Sequence, residues 1–202
     1  MPEVIERIVI KIGGATLFQT NGFVSELQSL LKEFDGAQVW MVVGGGDLVE
    51  AMRTAHEIYP GLDHEEIHWR CVELLDHTWA IAKQVYGAGV AIETPEELSQ
   101  HVRNKPTAGL FWVRVQSFYS REASLTIPMA WRPSSNWNTT TDVLAWLLGK
   151  TIDADRVLLI KQCECDPNWS MTEAARLGVI DSELARLIEV NPNARGIDVS
   201  LR

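Results

Sequence analysis

The chain has 202 residues, 46% of them hydrophobic and 22% charged, and a formal net charge of −9 at pH 7. Such a chain can bury its own core and reads as one domain, which excludes disordered and fibrous classes. The acidic balance excludes a general binder of nucleic acid or of anionic membrane, since both demand a basic face. The three cysteines, Cys71, Cys163 and Cys165, are odd in number and lack framework spacing, which points to a reducing compartment. The opening Met1-Pro-Glu-Val-Ile-Glu-Arg7 has no basic stretch leading into an apolar one, so the expected location is the cytoplasm. No apolar run approaches the roughly 18 residues of a membrane span.

In chain order, the β-branched run Ile8–Ile12 predicts a buried strand that stops at Gly13-Gly14. Phe23, Leu27, Leu30, Leu31 and Phe34 fall at helical spacing, with Gly36 as the stop. Val39–Val43 predicts a second buried strand, closed by Gly44-Gly45-Gly46 and followed by a helix from Leu48 to Glu57. Asp63 is placed to cap a long helix with an apolar stripe through Ile67, Cys71, Leu74, Leu75, Thr78, Ile81 and Val85. Gly89–Ile92 and Leu110–Val115 read as strands, and Thr94-Pro95-Glu96-Glu97 opens a short helix between them. Met129–Asn138 reads as a polar loop, Thr139–Gly149 as a helix and Arg156–Lys161 as a strand. Thr172–Leu177 and Ser182–Glu189 read as short helices, and Gly196–Leu201 as an edge strand.

Strands alternating with helices imply a three-layer α/β/α sandwich around a mostly parallel sheet, spanning residues 1–202 as a single domain. Ligands of such sheets bind beyond the carboxyl ends of the strands. Four features fall there: Lys11-Ile-Gly13-Gly14, the Gly44–Gly46 triplet, Asp142 in the first turn of the helix after Thr139-Thr140-Thr141, and Lys161. Together they suit phosphoryl transfer. Glycines let backbone N–H groups approach phosphate oxygens, a helix N-terminus adds a favourable dipole, and lysines offset the charge of the moving phosphoryl group.

This order of motifs resembles the amino acid kinase superfamily, which includes acetylglutamate, aspartate, uridylate and isopentenyl phosphate kinases, over Ile8 to about Lys161. The resemblance implies that Lys11, Gly13 and Gly14 contact the transferred phosphate, that Gly44, Gly45 and Gly46 face the acceptor, and that Asp142 in Thr140-Thr141-Asp142-Val-Leu-Ala145 organises the catalytic lysines. Thr140 and Thr141 then belong to the phosphate and nucleotide side. A short branch of that superfamily, typified by the aminomethylfuran phosphate kinase of methanofuran biosynthesis, is similar in further detail. Its glycine loop followed by a helical arginine resembles Gly44–Arg53, and its His-Trp helix opening resembles His68-Trp69. Its Ser-Trp-Asp-x-Thr-Ser-Asp stretch resembles Ser135–Asp142, with Asn138 for Asp and one extra residue, and its Leu-Leu-Lys resembles Leu159-Ile160-Lys161. The branch implies that Arg53, His68 and Trp137 line the acceptor pocket. The resemblance as a whole implies ATP with Mg²⁺ carried on its phosphates, and a homo-oligomer.

The chain departs from the longer members at two points. Their Gly-Gly-Met-x-x-Lys loop has no counterpart, so either Lys161 takes that lysine's role or the site carries less charge. Cys163-Glu164-Cys165-Asp166-Pro167 stands where they carry Asp-Gly. The rival reading is a catalytically silent protein of this fold that binds a nucleotide or small anion. His64-Glu65-Glu66-Ile67-His68 also matches the letters of a zinc-hydrolase motif, but no third ligand stands downstream.

Overall fold

The computed structural model describes residues 5–19, 22–104, 107–166, 168–191 and 198–202. Six strands, β1 (Arg7–Ile12), β2 (Gln38–Val43), β3 (Val90–Ile92), β4 (Gly109–Val113), β5 (Arg156–Leu159) and β6 (Asp198–Leu201), form one sheet in the order β3-β4-β2-β1-β5-β6. Every neighbouring pair is parallel. Central strands must be apolar on both faces, and β1 and β2 are buried almost throughout. Register places Lys11 opposite Val42 of β2 and Leu159 of β5, at the carboxyl end of the sheet's middle.

The helices are α1 (Ala15–Gln19), α2 (Phe23–Leu31), α3 (Asp47–Ile58), α4 (His64–Tyr86), α5 (Pro95–Arg103), α6 (Arg121–Ser124), α7 (Thr141–Thr151), α8 (Met171–Arg176) and α9 (Ser182–Glu189). Phe23 and Leu27 of α2 pack on Ile8, Ile10 and Ile12, while α7, α8 and α9 pack on the other face with Val9, Val157 and Leu159. Right-handed crossovers explain the division: the chain leaves β1 in one direction along the sheet and leaves β5 in the other. The connections therefore diverge between β1 and β5, and a crevice must open beyond Ile12 and Leu159.

Local signals set the helix starts. Asp63 accepts from Glu66 N at 2.9 Å, Thr94 and Glu97 form a reciprocal cap, and Thr140 accepts from Asp142 N. Three expectations are corrected. The stripe on α4 is turned in part: Ile67, Leu75 and Thr78 are buried as expected, but Ile81 and Val85 are 38% and 53% exposed, and Trp69, Val72, Trp79 and Ala82 are buried beside the rest. The two indoles bury more area than the aliphatics they displace, so they set the helix rotation. β5 ends at Leu159 and β4 at Val113, with Val115 in a 3₁₀ turn. Lys161 thus lies two residues past its strand, although Ile160 N still bonds Lys11 O at 2.9 Å. The edge strand forms as β6, and Gly196 lies outside the described residues. Among the described residues no helix is long and apolar enough to cross a membrane.

Candidate active site

Lys11 and Lys161 meet at Asp142. Lys11 Nζ lies 3.0 Å from Asp142 Oδ1, and Lys161 Nζ donates to Oδ2. Asp142 is 3% exposed and Lys11 9% exposed, so the group is a buried cluster of two cations and one anion. Burial alone would raise the Asp142 carboxyl, but the Lys11 and Lys161 ammonium groups outweigh it and hold it below the ordinary carboxylate range. One positive charge is left over, which suits an anion at the sheet edge. A carboxylate depressed in the fold stabilises it above its unfolded pKa, and that contribution is lost as pH falls through the folded value. The stability difference between wild type and Asp142→Asn is therefore expected to stay constant from neutrality to about pH 4 and to shrink below it. Urea unfolding of both proteins across that pH range measures it.

Asp142 is held from behind by a residue the sequence did not single out. The Thr140 hydroxyl accepts from Asp142 N at 3.2 Å and donates to Asp181 Oδ2 at 2.6 Å. Asp181 Oδ1 in turn accepts from Leu184 N and caps α9. Burial pushes the Asp181 carboxyl up, against the pull of Thr140 and of Leu184 N. The available signal was only an Asp directly before Ser182-Glu-Leu, a helix cap like many others.

The two glycine loops form one surface. A Cβ on Gly14 would sit 2.1 Å from Gly44 O and 2.3 Å from Gly46 N. A Cβ on Gly13 would meet nothing nearer than Thr16 Oγ1 at 3.9 Å. Gly46, with φ +52°, turns the chain into α3 and leaves that helix start without a side-chain cap. Thr141 Oγ1 reaches within 3.1 Å of where a Gly44 Cβ would stand. The loops after β1 and β2 and the start of α7 are thereby locked to one another.

Beside them lies a cavity of about 250 Å³, lined by Gly45, Gly46, Arg53, His68, Trp137 and Thr140 among others. Trp137 forms its wall: the indole N–H donates to His56 Nδ1 at 2.8 Å, and the Arg53 guanidinium sits 4.6 Å from the ring centre. Arg53 also bonds Glu50, another lining residue, at 3.2 Å. His68 Nε2 and the Tyr119 hydroxyl are 2.9 Å apart. Burial lowers the His68 pKa, against a backbone contact from Asn136 and the charge of Glu65, and burial pushes the Tyr119 phenol well up. This pair is uncharged at neutrality. Burial also pushes the lining thiol of Cys71 up to about 11. His56, Glu50, Tyr119 and Asp181 are the residues that sequence reasoning missed.

The structure thus gathers Lys11, Asp142 and Lys161 in direct contact, Gly14 with Gly44–Gly46, and Gly45, Gly46, Arg53, His68, Trp137, Thr140 and Thr141 around one cavity. His64 and His68 part ways: the His64 ring lies 4.5 Å from His56, while His68 turns to Tyr119. Cys165 Sγ lies 3.5 Å from the Cys163 carbonyl. Among the described residues, no group of three or more His, Cys, Asp or Glu side chains could hold a metal ion.

The fold is shared with several solved kinases. Uridylate kinase from Archaeoglobus fulgidus superposes over 96% of this chain and 89% of its own, with TM-score 0.57 and 16% identity. UMP kinase from Ureaplasma parvum superposes over 98% and 89%, with TM-score 0.61 and 15% identity. The chain has the amino acid kinase fold. Aspartate kinase from Synechocystis matches over 97% of this chain but only 37% of its own length, with TM-score 0.60 and 15% identity. No family model matches the chain, and no curated protein matches it in sequence.

Proposed function

We propose that this protein is a cytoplasmic, ATP-dependent small-molecule kinase that moves the γ-phosphoryl group onto a small phosphate or carboxylate acceptor. The observation that carries the reading is the buried Lys11–Asp142–Lys161 cluster at the mouth of the β1–β5 crevice. In the step, an acceptor oxygen bonds to the γ-phosphorus as the bond to the bridging oxygen breaks, and ADP leaves with that electron pair. A phosphate or carboxylate oxygen is already anionic and needs no general base. The two ammonium groups offset the charge spread over the equatorial oxygens, and Asp142 fixes where those groups point. Both Asp142 oxygens are engaged by lysines, so the cluster fits an anion and not a protein-held Mg²⁺. Mg²⁺ would arrive with the nucleotide and would offset part of its phosphate charge.

The cavity supports a flat acceptor with one anionic group, such as an aminomethylfuran phosphate. Trp137 offers a face, Arg53 and the N–H groups at the start of α3 meet the anion, and Glu50 meets an amine. Removing the Trp137 face weakens binding without touching the reacting atoms, so Trp137→Ala is expected to raise the acceptor KM by roughly tenfold and to change kcat by less than about threefold. Acceptor titrations at saturating ATP check this. A homo-oligomer is part of the proposal, and the exposed Ile81 and Val85 of α4 are surface it would cover.

ADP release, followed with a panel of furan phosphates, nucleoside monophosphates and amino acid carboxylates, tests the function. Acceptor-dependent release supports it. A second reading, a silent binder of nucleotide or anion, is favoured by the single net charge left once Asp142 has engaged both lysines. Saturable nucleotide binding with no release across the panel would bring it forward.

A further inference from the structure

The aromatic wall of the acceptor cavity is held by a residue outside it. Trp137 stands on the loop 134–139, which is fixed at its base: Ser134 N and Oγ donate to Glu183 Oε1 of α9 at 3.0 and 3.1 Å, and Glu183 is buried. Within the loop, the Thr139 hydroxyl donates to Ser134 O at 2.6 Å and Asn138 N donates to Asn136 Oδ1 at 2.9 Å. What these bonds leave open is the rotation of the indole about its side-chain torsions. The Arg53 guanidinium attracts the ring, a contact that does not fix where the N–H edge points. The 2.8 Å bond from that N–H to His56 Nδ1 is directional and does fix it. Arg53 and His56 stand three residues apart on α3, so one helix face supplies both contacts. His56 is 6% exposed, is absent from the cavity lining and packs its ring against His64 at 4.5 Å. An indole N–H can only donate, so Nδ1 carries the lone pair and the ring proton sits on Nε2.

We propose that His56 is a positioning residue that sets acceptor specificity. By accepting from the Trp137 indole N–H it fixes the ring as the cavity wall, so the site prefers a flat-ring phosphate to an aliphatic one of equal charge. The inference rests on the reading of this cavity as the acceptor site. It goes beyond that reading in giving the selectivity to a residue that touches no substrate. With the ring locked in advance, a flat acceptor stacks on it and binding does not have to order it first. An aliphatic phosphate is held by its charged ends and gains nothing from the orientation of the ring.

The test compares His56→Leu with His56→Asn in the full chain, with an aminomethylfuran phosphate and an aminoalkyl phosphate of similar length as acceptors at saturating ATP. Both substitutions remove the ring that packs on His64, but an asparagine Oδ1 stands as many bonds from the backbone as Nδ1 and still accepts from the indole. His56→Leu is expected to raise KM for the furan phosphate about fivefold, the scale of one lost hydrogen bond, with kcat and the aminoalkyl KM within about twofold of wild type. His56→Asn is expected to stay within about twofold throughout. Trp137→Phe removes the donor from the other side, so it is expected to match His56→Leu, and the double variant to fall no further. A second readout needs no turnover. In protein labelled with ¹⁵N-tryptophan, the indole N–H signal that Trp137→Phe deletes is expected to exchange with solvent about tenfold faster in His56→Leu and at the wild-type rate in His56→Asn. Equal KM rises in the two His56 variants, or a wild-type KM and exchange rate in folded His56→Leu, overturn the proposal and leave the acceptor reading standing. Should His56→Leu fail to fold, an unchanged KM in Trp137→Phe does the same. Calorimetry showing that wild type binds neither phosphate overturns the acceptor reading and this role with it.

Discussion

Lys11→Ala and Lys161→Ala will each lower kcat by about 10²–10³-fold, the scale for losing one preorganised electrostatic contact at a developing charge. Each ammonium group is fixed on a carboxylate that is 3% exposed, so water cannot cheaply replace it and the surrounding dielectric stays low. Asp142→Asn will cost about as much, because both lysines then lose the anion that aims them. The three losses will not add: once one member is gone the others no longer hold their geometry, and the triple variant will fall little below the worst single one. Steady-state kinetics with ATP and a competent acceptor measures the series. Full activity in Lys161→Ala would refute its role as the second catalytic cation.

Gly14→Ala will destabilise the protein by about 3 kcal/mol, at the upper end of ordinary overpacking, because a new methyl would land 2.1 Å from a backbone oxygen and 2.3 Å from a backbone nitrogen. Neither neighbour can rotate away, so the loops after β1 and β2 must part. For a chain of this length, the corresponding fall in Tm is roughly 6–12 °C. Gly13→Ala, one residue earlier, will stay within about 0.5 kcal/mol of wild type, since its methyl meets only Thr16 Oγ1 at 3.9 Å. Thermal melts of the two variants check the contrast. Equal Tm values would mean that the interlocked loops do not set the stability of this edge.

These two glycines show how far the sequence could be read. Gly13-Gly14 after a β-branched run marked a strand end at a phosphate-type loop, and that much follows from strand chemistry. Which glycine is indispensable depended on the 44–46 loop lying against it, a contact between residues 30 apart in sequence that no local pattern carries. Lys11, Asp142 and Lys161 were legible because each sits at or just past a strand end or at a helix start, the positions that a parallel sheet gathers at one edge. Asp181 and His56 were not. Each accepts a hydrogen bond from a residue on a distant element, and both look like ordinary helix residues until Thr140 and Trp137 are placed beside them. The stripe on α4 misled for a related reason: aliphatic periodicity ignored Trp69 and Trp79, whose larger rings claimed the buried face.

The central claim is that the transferred phosphoryl group sits at the Lys11–Asp142–Lys161 cluster, and a crystal grown with Mg²⁺ and the β,γ-imido analogue of ATP tests it most directly. The account predicts γ-phosphate oxygens within hydrogen-bond reach, roughly 2.7–3.2 Å, of the Lys11 or Lys161 ammonium and of backbone N–H groups in the Gly13–Gly14 or Gly44–Gly46 loops. A γ-phosphate bound at the opposite edge of the sheet, with both lysines still closed on Asp142 and the glycine loops untouched, would contradict it.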